Sequence, residues 1–356
     1  MKETIDGKAL VYAAGAFNTP EGKTAHGLVR FTERYEIMGV IDQVYAGRDA
    51  GEVLDGRVSS IPVFADLESA MASFSDTDLP KTLVVGLAPD GGRLPADAKE
   101  TIRKALALGL NIDSGLHDFL YKDENLMALA GKNNCRVRDI RRTLDRDNLH
   151  FFTGKIEEVD CLKIAVLGTD SAIGKRTTAW IIVQAARNAG LKAEMVGTGQ
   201  TAWMQGAKYS MIMDSCINDF VSGEIEHAVY EAWKNESPDL LLIEGQGSLM
   251  NPAYPGGFEI LAAARPDYVI LQHAPMRLEY DGFPGYPLHS LTEQIQAIEI
   301  ISARKVIAVT LNHERMNKDD IASACANITE ETGLPAFDVL ESGGEQLVQL
   351  LRSHLK

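Results

Sequence analysis

The segment Lys163–Thr178, which reads KIAVLGTDSAIGKRTT, constrains the fold of this chain more than any other. A short apolar run ends in Gly168, and Gly174 and Lys175 follow after five intervening residues. The next stretch, Ala179–Ala186, is expected to be helical. A strand, a glycine-bounded loop, a lysine and a helix make up a phosphate-binding loop, in which backbone N–H groups and the helix N-terminus converge on an anion. The alternative is an ordinary strand-to-helix turn with a surface lysine.

The predicted P-loop departs from the common form in two ways. Five residues rather than four separate its glycines, and Arg176 follows the lysine where Ser or Thr normally holds Mg²⁺. A guanidinium cannot ligate a cation, because it offers donors only, although Thr177 would serve if the register shifted by one. We therefore predict no metal site and expect a diphosphate that is held rather than cleaved, as in coenzyme A. The predicted phosphate-binding residues are Gly168, Thr169, Ser171, Gly174, Lys175, Arg176, Thr177 and Thr178.

Composition limits the class of protein. The 356 residues suffice for two domains, and 45% apolar with 24% charged residues is typical of soluble globular proteins. A net charge of −15 argues against non-specific binding to nucleic acids or anionic membranes, so an anionic ligand needs a local basic pocket. The four cysteines form no C-x-x-C pair, which indicates reduced thiols. No membrane-length apolar run or signal-peptide apolar region is present, so a cytoplasmic location is expected.

Strands alternate with helices in the first half of the chain. Strands are predicted at Lys8–Ala14, Tyr35–Asp42, Ile61–Phe64, Thr82–Gly86 and Asn111–Asp113. This rhythm predicts a parallel sheet with helices on its faces, and hence a Rossmann-like α/β domain over residues 1–145. Gly15 is not followed by the glycine triplet of a dinucleotide site, and Asp42 is an isolated candidate for binding a ribose, so NAD binding is disfavoured.

Residues 146–356 are predicted to form a second α/β domain, which contains the P-loop. Its strands are predicted at Ile164–Leu167, Ala193–Gly197, Leu240–Glu244, Tyr268–His273 and Val306–Asn312. A helix is predicted over 219–233, where Glu224 and Glu226 in the first turn would complement the helix dipole.

A second group of polar residues follows the predicted strand Leu240–Glu244. Glycines come directly after Glu244, and Asn251 lies close behind. An acid at a strand end beside glycines leaves its carboxylate next to accessible backbone N–H groups. In P-loop proteins the corresponding strand runs next to the phosphate loop, so we expect Glu244 to lie near Lys175. Glu244 can then ligate Mg²⁺, act as a general base or pair with the lysine, and these alternatives stay open.

Further polar residues follow the predicted strands of the second domain or precede that domain. His273 is either a base at neutral pH or a hydrogen-bonded structural residue. Asn312 resembles the base-reading asparagine of P-loop proteins, so it is expected to contact an adenine. Four arginines fall within residues 136–142, and they form either a clamp for carboxylates or phosphates or a solvated face paired with nearby aspartates.

Several motifs resemble known families. The glycine spacing with Thr169–Asp170, and the segment Glu244–Ser248, are similar to dethiobiotin synthetase, an ATP-dependent P-loop enzyme. More of the chain resembles a bacterial and archaeal family catalogued as a domain of unknown function, which couples a Rossmann-like first domain to a P-loop second domain. The matching segments are Val44–Gly56, Ile112–Leu120, Gly168–Ala179, Gly197–Thr201, Asp219–Glu226, Ile243–Leu249 and Asp281–Pro284.

One branch of that family is the D-glutamate N-acetyltransferase of D-amino-acid catabolism, which uses acetyl-CoA. The resemblance implies a homodimeric acyltransferase that acetylates the amine of an acidic amino acid. On this interpretation Glu244 is the hypothesised general base, with Asp170 and His273 as rivals. The predicted substrate-binding residues are Gln200, Thr201, Gln246, Gly247, Ser248, Asn251, Arg141 and Arg142. The competing prediction is a Mg-ATP-dependent ligase or kinase of the dethiobiotin synthetase type.

Overall fold

The computed structural model describes residues 4–356, without the side chain of Asp90. Over these residues the chain forms two compact units. The first unit extends to Thr143 and also includes Trp203–Gly206, and the second comprises Leu144–Ala202 and Ala207–Lys356. Each unit contains its own parallel β-sheet and its own buried apolar core.

The sheet of the first unit consists of parallel strands. In chain order they are β1 (Gly7–Tyr12), β2 (Tyr35–Ile41), β3 (Val63–Phe64), β4 (Thr82–Val85), β5 (Asn111–Ser114) and β6 (Val137–Asp139). Across the described residues they pair in the order β3-β2-β1-β4-β5-β6. This is the strand order of a doubly wound Rossmann fold, in which the chain changes direction between β1 and β4. The predicted Rossmann-like fold is confirmed.

Helices connect these strands. They are α1 (Lys23–Arg30), α2 (Ala50–Asp55), α3 (Leu67–Ala72), α4 (Ala96–Ala107) and α5 (Glu124–Lys132). Asp49, Asp66 and Asp123 each cap a helix by accepting backbone N–H groups of its first turn, which explains why α2, α3 and α5 begin where they do. Short 3₁₀ turns lie at Pro20–Gly22, Asp90–Gly92, Leu120–Lys122, Arg146–Asn148, Lys155–Glu158 and Met213–Ser215.

Asp42, directly after β2, is fully buried. Its carboxylate accepts the backbone N–H of Phe17 at 3.0 Å and that of Val44 at 2.9 Å. These bonds shape the loops after β1 and β2.

The segment Trp203–Gly206 packs within the first unit. The guanidinium of Arg34 lies over the Trp203 ring, 3.7 Å from its centroid, and donates to the Trp203 carbonyl at 2.7 Å. The amide of Gln205 donates to the carbonyls of Gly27 and Phe31, both at 2.8 Å. These contacts bind the segment to α1 and to the turn that precedes β2.

The sheet of the second unit is again parallel, and its central strand leads into the P-loop. In chain order its strands are β7 (Leu162–Gly168), β8 (Ala193–Gly197), β9 (Tyr209–Ser210), β10 (Leu240–Glu244), β11 (Tyr268–His273), β12 (Lys305–Leu311) and β13 (Ala336–Phe337). They pair, over the part of the chain described, in the order β13-β12-β11-β7-β10-β8-β9. Because β7 lies between β10 and β11, the carboxyl ends of these three strands share one edge of the sheet.

Helices connect these strands. They are α6 (Lys175–Asn188), α8 (Asn218–Glu236), α9 (Gly257–Ala264), α10 (Leu291–Ser302), α11 (Lys318–Thr332), α12 (Val339–Ser342) and α13 (Glu345–Arg352). Helix α7 (Gln200–Gln205) begins in the second unit, and its residues from Trp203 onwards belong to the first. Strands β7 and β10 are buried along their whole length, which is why their sequences are nearly continuous apolar runs. The P-loop α/β fold is confirmed. Among residues 4–356, no helix has the length and apolar character that crossing a membrane requires.

Glu224 and Glu226 do not lie in the first turn of their helix, so that prediction was wrong. Helix α8 begins at Asn218, and both residues lie in its interior. Glu226 accepts the backbone N–H groups of Thr153 at 2.6 Å and of Ile156 at 3.2 Å. Glu224 accepts the backbone N–H of His150 at 2.7 Å. The two carboxylates therefore fix the segment 150–156, which leads towards β7, against α8.

Gly223 provides a test of this packing. An added Cβ would overlap the carbonyl oxygen of His150, so Gly223→Ala is expected to destabilise the protein by about 1–3 kcal/mol. Gly131 in α5 is the matched control, since an added Cβ there meets nothing within 4 Å. Gly131→Ala should be neutral or stabilise by up to about 1 kcal/mol. Urea unfolding of both variants measures the difference, and equal stabilities would contradict the proposed contact.

Candidate functional site

The predicted strand, loop and helix are confirmed around Gly168 and Lys175. Strand β7 ends at Gly168 and α6 begins at Lys175, so the loop occupies residues 169–174. Gly174 has a φ of +97°, which L side chains rarely adopt. A Cβ at Gly168 would lie 2.8 Å from side-chain carbons of Ile173 and Lys175. The backbone conformation therefore favours glycine at 174, and a side chain at 168 would displace those of Ile173 and Lys175. The loop leads into the positive end of the α6 dipole.

Lys175 supplies a cation inside this loop. The residue is 7% exposed, and its ammonium donates to the main-chain carbonyl of Asp170 at 2.6 Å. The side chain therefore crosses the loop from the start of α6 to the opposite side. A lysine ammonium beside backbone N–H groups is the arrangement that binds di- and triphosphates.

Asp170 is completely buried at the centre of a hydrogen-bond network. Its Oδ1 accepts the N–H of Ser171 at 2.7 Å and the amide of Asn251 at 2.8 Å. Its Oδ2 accepts Nη1 of Arg277 at 2.9 Å and the N–H of Asp281 at 2.8 Å. Each carboxylate oxygen thus has two donors, which exhausts its acceptor capacity. This arrangement favours an anchoring role for Asp170 over that of a base.

Arg277 is a site residue that was not predicted from the sequence. Besides pairing with Asp170, its guanidinium donates to the carbonyl of Ser171 at 2.7 Å. It also donates to both carboxylate oxygens of Glu314 at 2.8 Å. Arg277 follows shortly after the end of β11, and a cation just beyond the carboxyl end of a parallel strand was the signal that could have found it.

Glu244 ends β10 and is 3% exposed. Its Oε2 accepts the backbone N–H groups of Thr198 at 2.8 Å and of Gly199 at 3.1 Å, directly after β8. Burial raises the pKa of this carboxyl, and the positive charges of Arg176 and Lys175, together with the two N–H donors, offset the rise only in part. A buried carboxyl with a raised pKa beside cations is characteristic of functional sites.

Further predicted substrate-binding residues surround Glu244. Gln246 donates from its amide to the hydroxyl of Thr198 at 3.0 Å. Gln200 and Thr201 are buried at the start of α7, one residue after the N–H that Glu244 accepts. The structure therefore places these three predicted residues on the two segments that flank the Glu244 carboxylate.

The loop after β10 has a defined shape. Gly247 has a φ of +53°, and a Cβ there would overlap the carbonyl oxygen of Tyr254. Asn251 uses its Oδ1 to accept the N–H two residues ahead at 2.9 Å, while its amide nitrogen binds the P-loop aspartate. Ser248 is 2% exposed, and within the described residues its hydroxyl has no hydrogen-bond partner. An unpaired buried hydroxyl is costly, so Ser248 is a candidate ligand contact.

His273 ends β11 beside the P-loop. Its Nδ1 shares a hydrogen bond of 3.1 Å with the hydroxyl of Thr169. Burial lowers the pKa of His273 to about 4, so the imidazole is neutral at physiological pH. A base with so low a pKa holds an abstracted proton weakly, which favours the structural alternative for this residue.

Two other predicted ligand contacts engage the protein itself. The hydroxyl of Thr178 donates to Oε1 of Gln272 at 2.6 Å. The amide of Asn312 donates to the carbonyl of Ile173 at 2.9 Å, and its Oδ1 accepts the N–H of Glu314 at 2.9 Å. An adenine would have to compete with these bonds for Asn312, which holds the P-loop from the end of β12.

The predicted arginine clamp lies in the first unit, whereas the P-loop belongs to the second. Arg141 is buried and donates to the carbonyl of Gly115, and Arg142 lies over the Tyr121 ring, 4.5 Å from its centroid. Arg138 forms ion pairs with two aspartates that the sequence did not single out. A role of Arg141 and Arg142 in binding substrate stays a prediction.

The fold and the site together define a class of protein. It is a two-domain α/β protein with a Rossmann-like unit and a P-loop unit, and a buried acid ends the strand next to the one that leads into the P-loop. The chain belongs to the family DUF1611. Two models describe this family, and both match. The model of its P-loop domain, a domain of unknown function, matches residues 150–348, and the model of its Rossmann-like N-terminal domain, also of unknown function, matches residues 43–143. The family predicted from the sequence motifs is confirmed.

Known relatives extend over most of the chain. A protein from Tritonibacter scottomollicae named D-glutamate N-acetyltransferase is 30% identical over 278 residues, which are 76% of this chain and 81% of that protein. A protein of the same name from Pseudoalteromonas sp. is 29% identical over 275 residues, which are 75% of this chain and 80% of that protein. The crystal structure of a DUF1611 family protein from Anabaena variabilis is 28% identical, with a TM-score of 0.88 over 97% of this chain and 99% of that one.

Replacing Arg277 tests whether it supports the P-loop. Arg277→Met should lower the free energy of unfolding by about 3–5 kcal/mol, because it leaves the buried carboxylate of Asp170 without its cation. Arg277→Lys should lower the free energy of unfolding by an intermediate amount, since a lysine keeps the charge but cannot reproduce the guanidinium fork. Arg103→Met is the control, because that arginine is exposed and pairs with a surface glutamate. Urea unfolding gives the values, and a loss no larger than that of the control would contradict the assigned role.

Proposed function

We propose that this protein is an N-acetyltransferase that moves the acetyl group of acetyl-CoA to the amine of an acidic amino acid, with D-glutamate as the first candidate acceptor. One observation carries the proposal: buried Glu244, with its raised pKa, lies on the strand next to a P-loop in which Arg176 follows Lys175. The name of the two relatives supports acetyl transfer to the amine of D-glutamate, and the choice of acetyl-CoA as donor rests on the P-loop chemistry.

The P-loop is proposed to hold the diphosphate of acetyl-CoA. Lys175 and Arg176 supply two positive charges, and the N-terminus of α6 supplies backbone donors. Acetyl transfer requires these phosphates to be held but not broken. Arg176 suits that task, because it adds charge at the position where a nucleotide-cleaving enzyme carries a hydroxyl for Mg²⁺.

The transfer itself requires a base and an oxyanion site. The acceptor amine is an ammonium ion at neutral pH, so a base must remove one proton before the nitrogen can attack. The nitrogen adds to the thioester carbonyl carbon, and the carbonyl oxygen becomes an oxyanion. When this intermediate collapses, the C–S bond breaks, the C–N bond remains, and the amine loses its second proton. The thiolate needs little acid assistance, because an ordinary thiol has a pKa near ~8.5.

Glu244 is the proposed base. Its burial raises the pKa towards the range in which a carboxylate can accept a proton near neutral pH. Asp170 is less suited, because four donors already occupy its oxygens. His273 is less suited, because burial lowers its pKa to about 4.

The groups around Glu244 are proposed to bind the remaining parts of the substrates. The backbone N–H groups of Gly245–Gly247 and the hydroxyl of Ser248 are the candidate oxyanion donors. Gln200, Thr201 and Gln246 are the candidate contacts for the acceptor carboxylates. Gln200 and Thr201 directly follow Gly199, whose N–H the Glu244 carboxylate accepts. Gln246 lies two residues after Glu244 and donates to Thr198.

A thermal-shift panel with acetyl-CoA, coenzyme A, ATP–Mg²⁺ and NAD tests the proposal. Acetyl-CoA and coenzyme A should raise the melting temperature by mass action, and Lys175→Ala should lose most of that shift. With D-glutamate present, acetyl-CoA should release free thiol without added Mg²⁺, and Lys175→Ala should not catalyse this release. A shift with ATP–Mg²⁺ alone would contradict the proposal and favour a ligase or kinase.

Glu244→Gln tests the assignment of the base. The glutamine keeps the volume and an acceptor for Thr198 and Gly199 but cannot take a proton, so kcat should fall by about 10²–10⁴ with little change in the KM for acetyl-CoA. In the wild type, kcat/KM should rise with pH as Glu244 loses its proton above the usual range for glutamate, and the variant should lack this rise. His273→Asn serves as the matched control. If His273→Asn loses activity while Glu244→Gln remains active, the general base is His273 rather than Glu244.

A further inference from the structure

A cavity of about 450 Å³ lies in the second unit, between the loop after β10 and the loop after β11. One wall is formed by Met250 and Pro252, and the other by Tyr280, Tyr286 and Leu288. Apolar and aromatic groups therefore make up most of its lining. Such a lining binds the uncharged part of a ligand, while a few polar groups fix its orientation.

Both walls of this cavity are bonded to the same P-loop carboxylate. Asn251, which separates the two residues of the first wall, donates to Oδ1 of Asp170 at 2.8 Å. Asp281, which follows directly after Tyr280 of the second wall, donates through its N–H to Oδ2 of Asp170 at 2.8 Å. The residues that form the cavity walls are therefore held against the P-loop through Asp170.

The charge at the rim of the cavity disfavours an anionic occupant. Glu293 lies at its rim, and its carboxylate accepts the hydroxyl and the N–H of Ser290 at 2.8 and 2.9 Å. These bonds lower the pKa of Glu293, so it is negatively charged at neutral pH. It repels both a phosphate and a dicarboxylic acceptor. The other polar side chains of the lining are those of Tyr280, Tyr286 and His289, and the Tyr280 hydroxyl shares a hydrogen bond of 2.8 Å with the His289 ring.

We propose that this cavity binds the pantetheine arm of the acyl thioester whose diphosphate occupies the P-loop. The inference rests on the proposed function and extends it, since it states where the uncharged part of the co-substrate lies. The arm combines aliphatic segments with two amides, which match the apolar walls and the Tyr280–His289 pair. Asp170 then sets the positions of the phosphates and of the arm together.

Two cavity variants and one control test this assignment. Tyr286→Glu places a charge in the lining at a residue that is 57% exposed, so the fold should tolerate it. Leu288→Ser removes apolar surface without adding charge. Ile300→Glu is the control, because it adds the same charge on α10, at a residue that is 82% exposed and outside the lining. The probes are acetyl-CoA and 3′-phosphoadenosine 5′-diphosphate, which is coenzyme A without its arm.

Calorimetry should show acetyl-CoA binding to Tyr286→Glu weaker by roughly tenfold, and to Leu288→Ser weaker by a smaller factor. The armless probe should bind both variants as it binds the wild type, and Ile300→Glu should bind both ligands normally. Unchanged acetyl-CoA affinity in both cavity variants would overturn the inference. Equal weakening of the armless probe would also overturn it, because the cavity would then hold the nucleoside. If the wild type binds ATP–Mg²⁺ but not acetyl-CoA, the proposed function itself fails.

Discussion

The buried ion pair between Asp170 and Arg277 is the interaction on which the rest of the site depends. A buried carboxylate is tolerated only when it is paired and hydrogen-bonded, and Asp170 meets both conditions. Its donors come from three segments: the P-loop itself, the loop after β10 and the loop after β11. One carboxylate therefore fixes three loops, and residues outside the P-loop motif contribute to the shape of the P-loop.

The strand order explains why these loops meet. Because β7 pairs with β10 on one side and β11 on the other, the residues after all three strands emerge at one edge of the sheet. Glu244 therefore lies beside the P-loop on one side, and Arg277 reaches the P-loop from the side of β11. A transfer between two bound substrates benefits from such an arrangement, because a rigid sheet holds the reacting groups in a fixed relation.

The parts that the sequence predicted are those with local causes. Strands such as Leu240–Glu244 and Tyr268–His273 are buried apolar runs, and the positive φ at Gly174 favours glycine in the loop, so neighbouring residues suffice to identify them. The parts that it did not predict depend on distant partners. Arg277 is important because of Asp170, and the role of Asn312 depends on a carbonyl of the P-loop. Likewise, Glu224 and Glu226 bind a segment about 70 residues earlier in the chain, which helix propensity alone does not reveal.

The position of Arg277 along the chain has a consequence for biosynthesis. The phosphate loop is translated 107 residues before the arginine that neutralises its aspartate, and both strands that flank β7 are also synthesised later. Until they emerge from the ribosome, the loop has neither its neighbouring strands nor its counter-ion. A nascent chain that ends before β11 would carry the whole glycine–lysine motif without the strand and the cation that hold it in place. The P-loop network is therefore completed only late in translation, when most of the second sheet has been made.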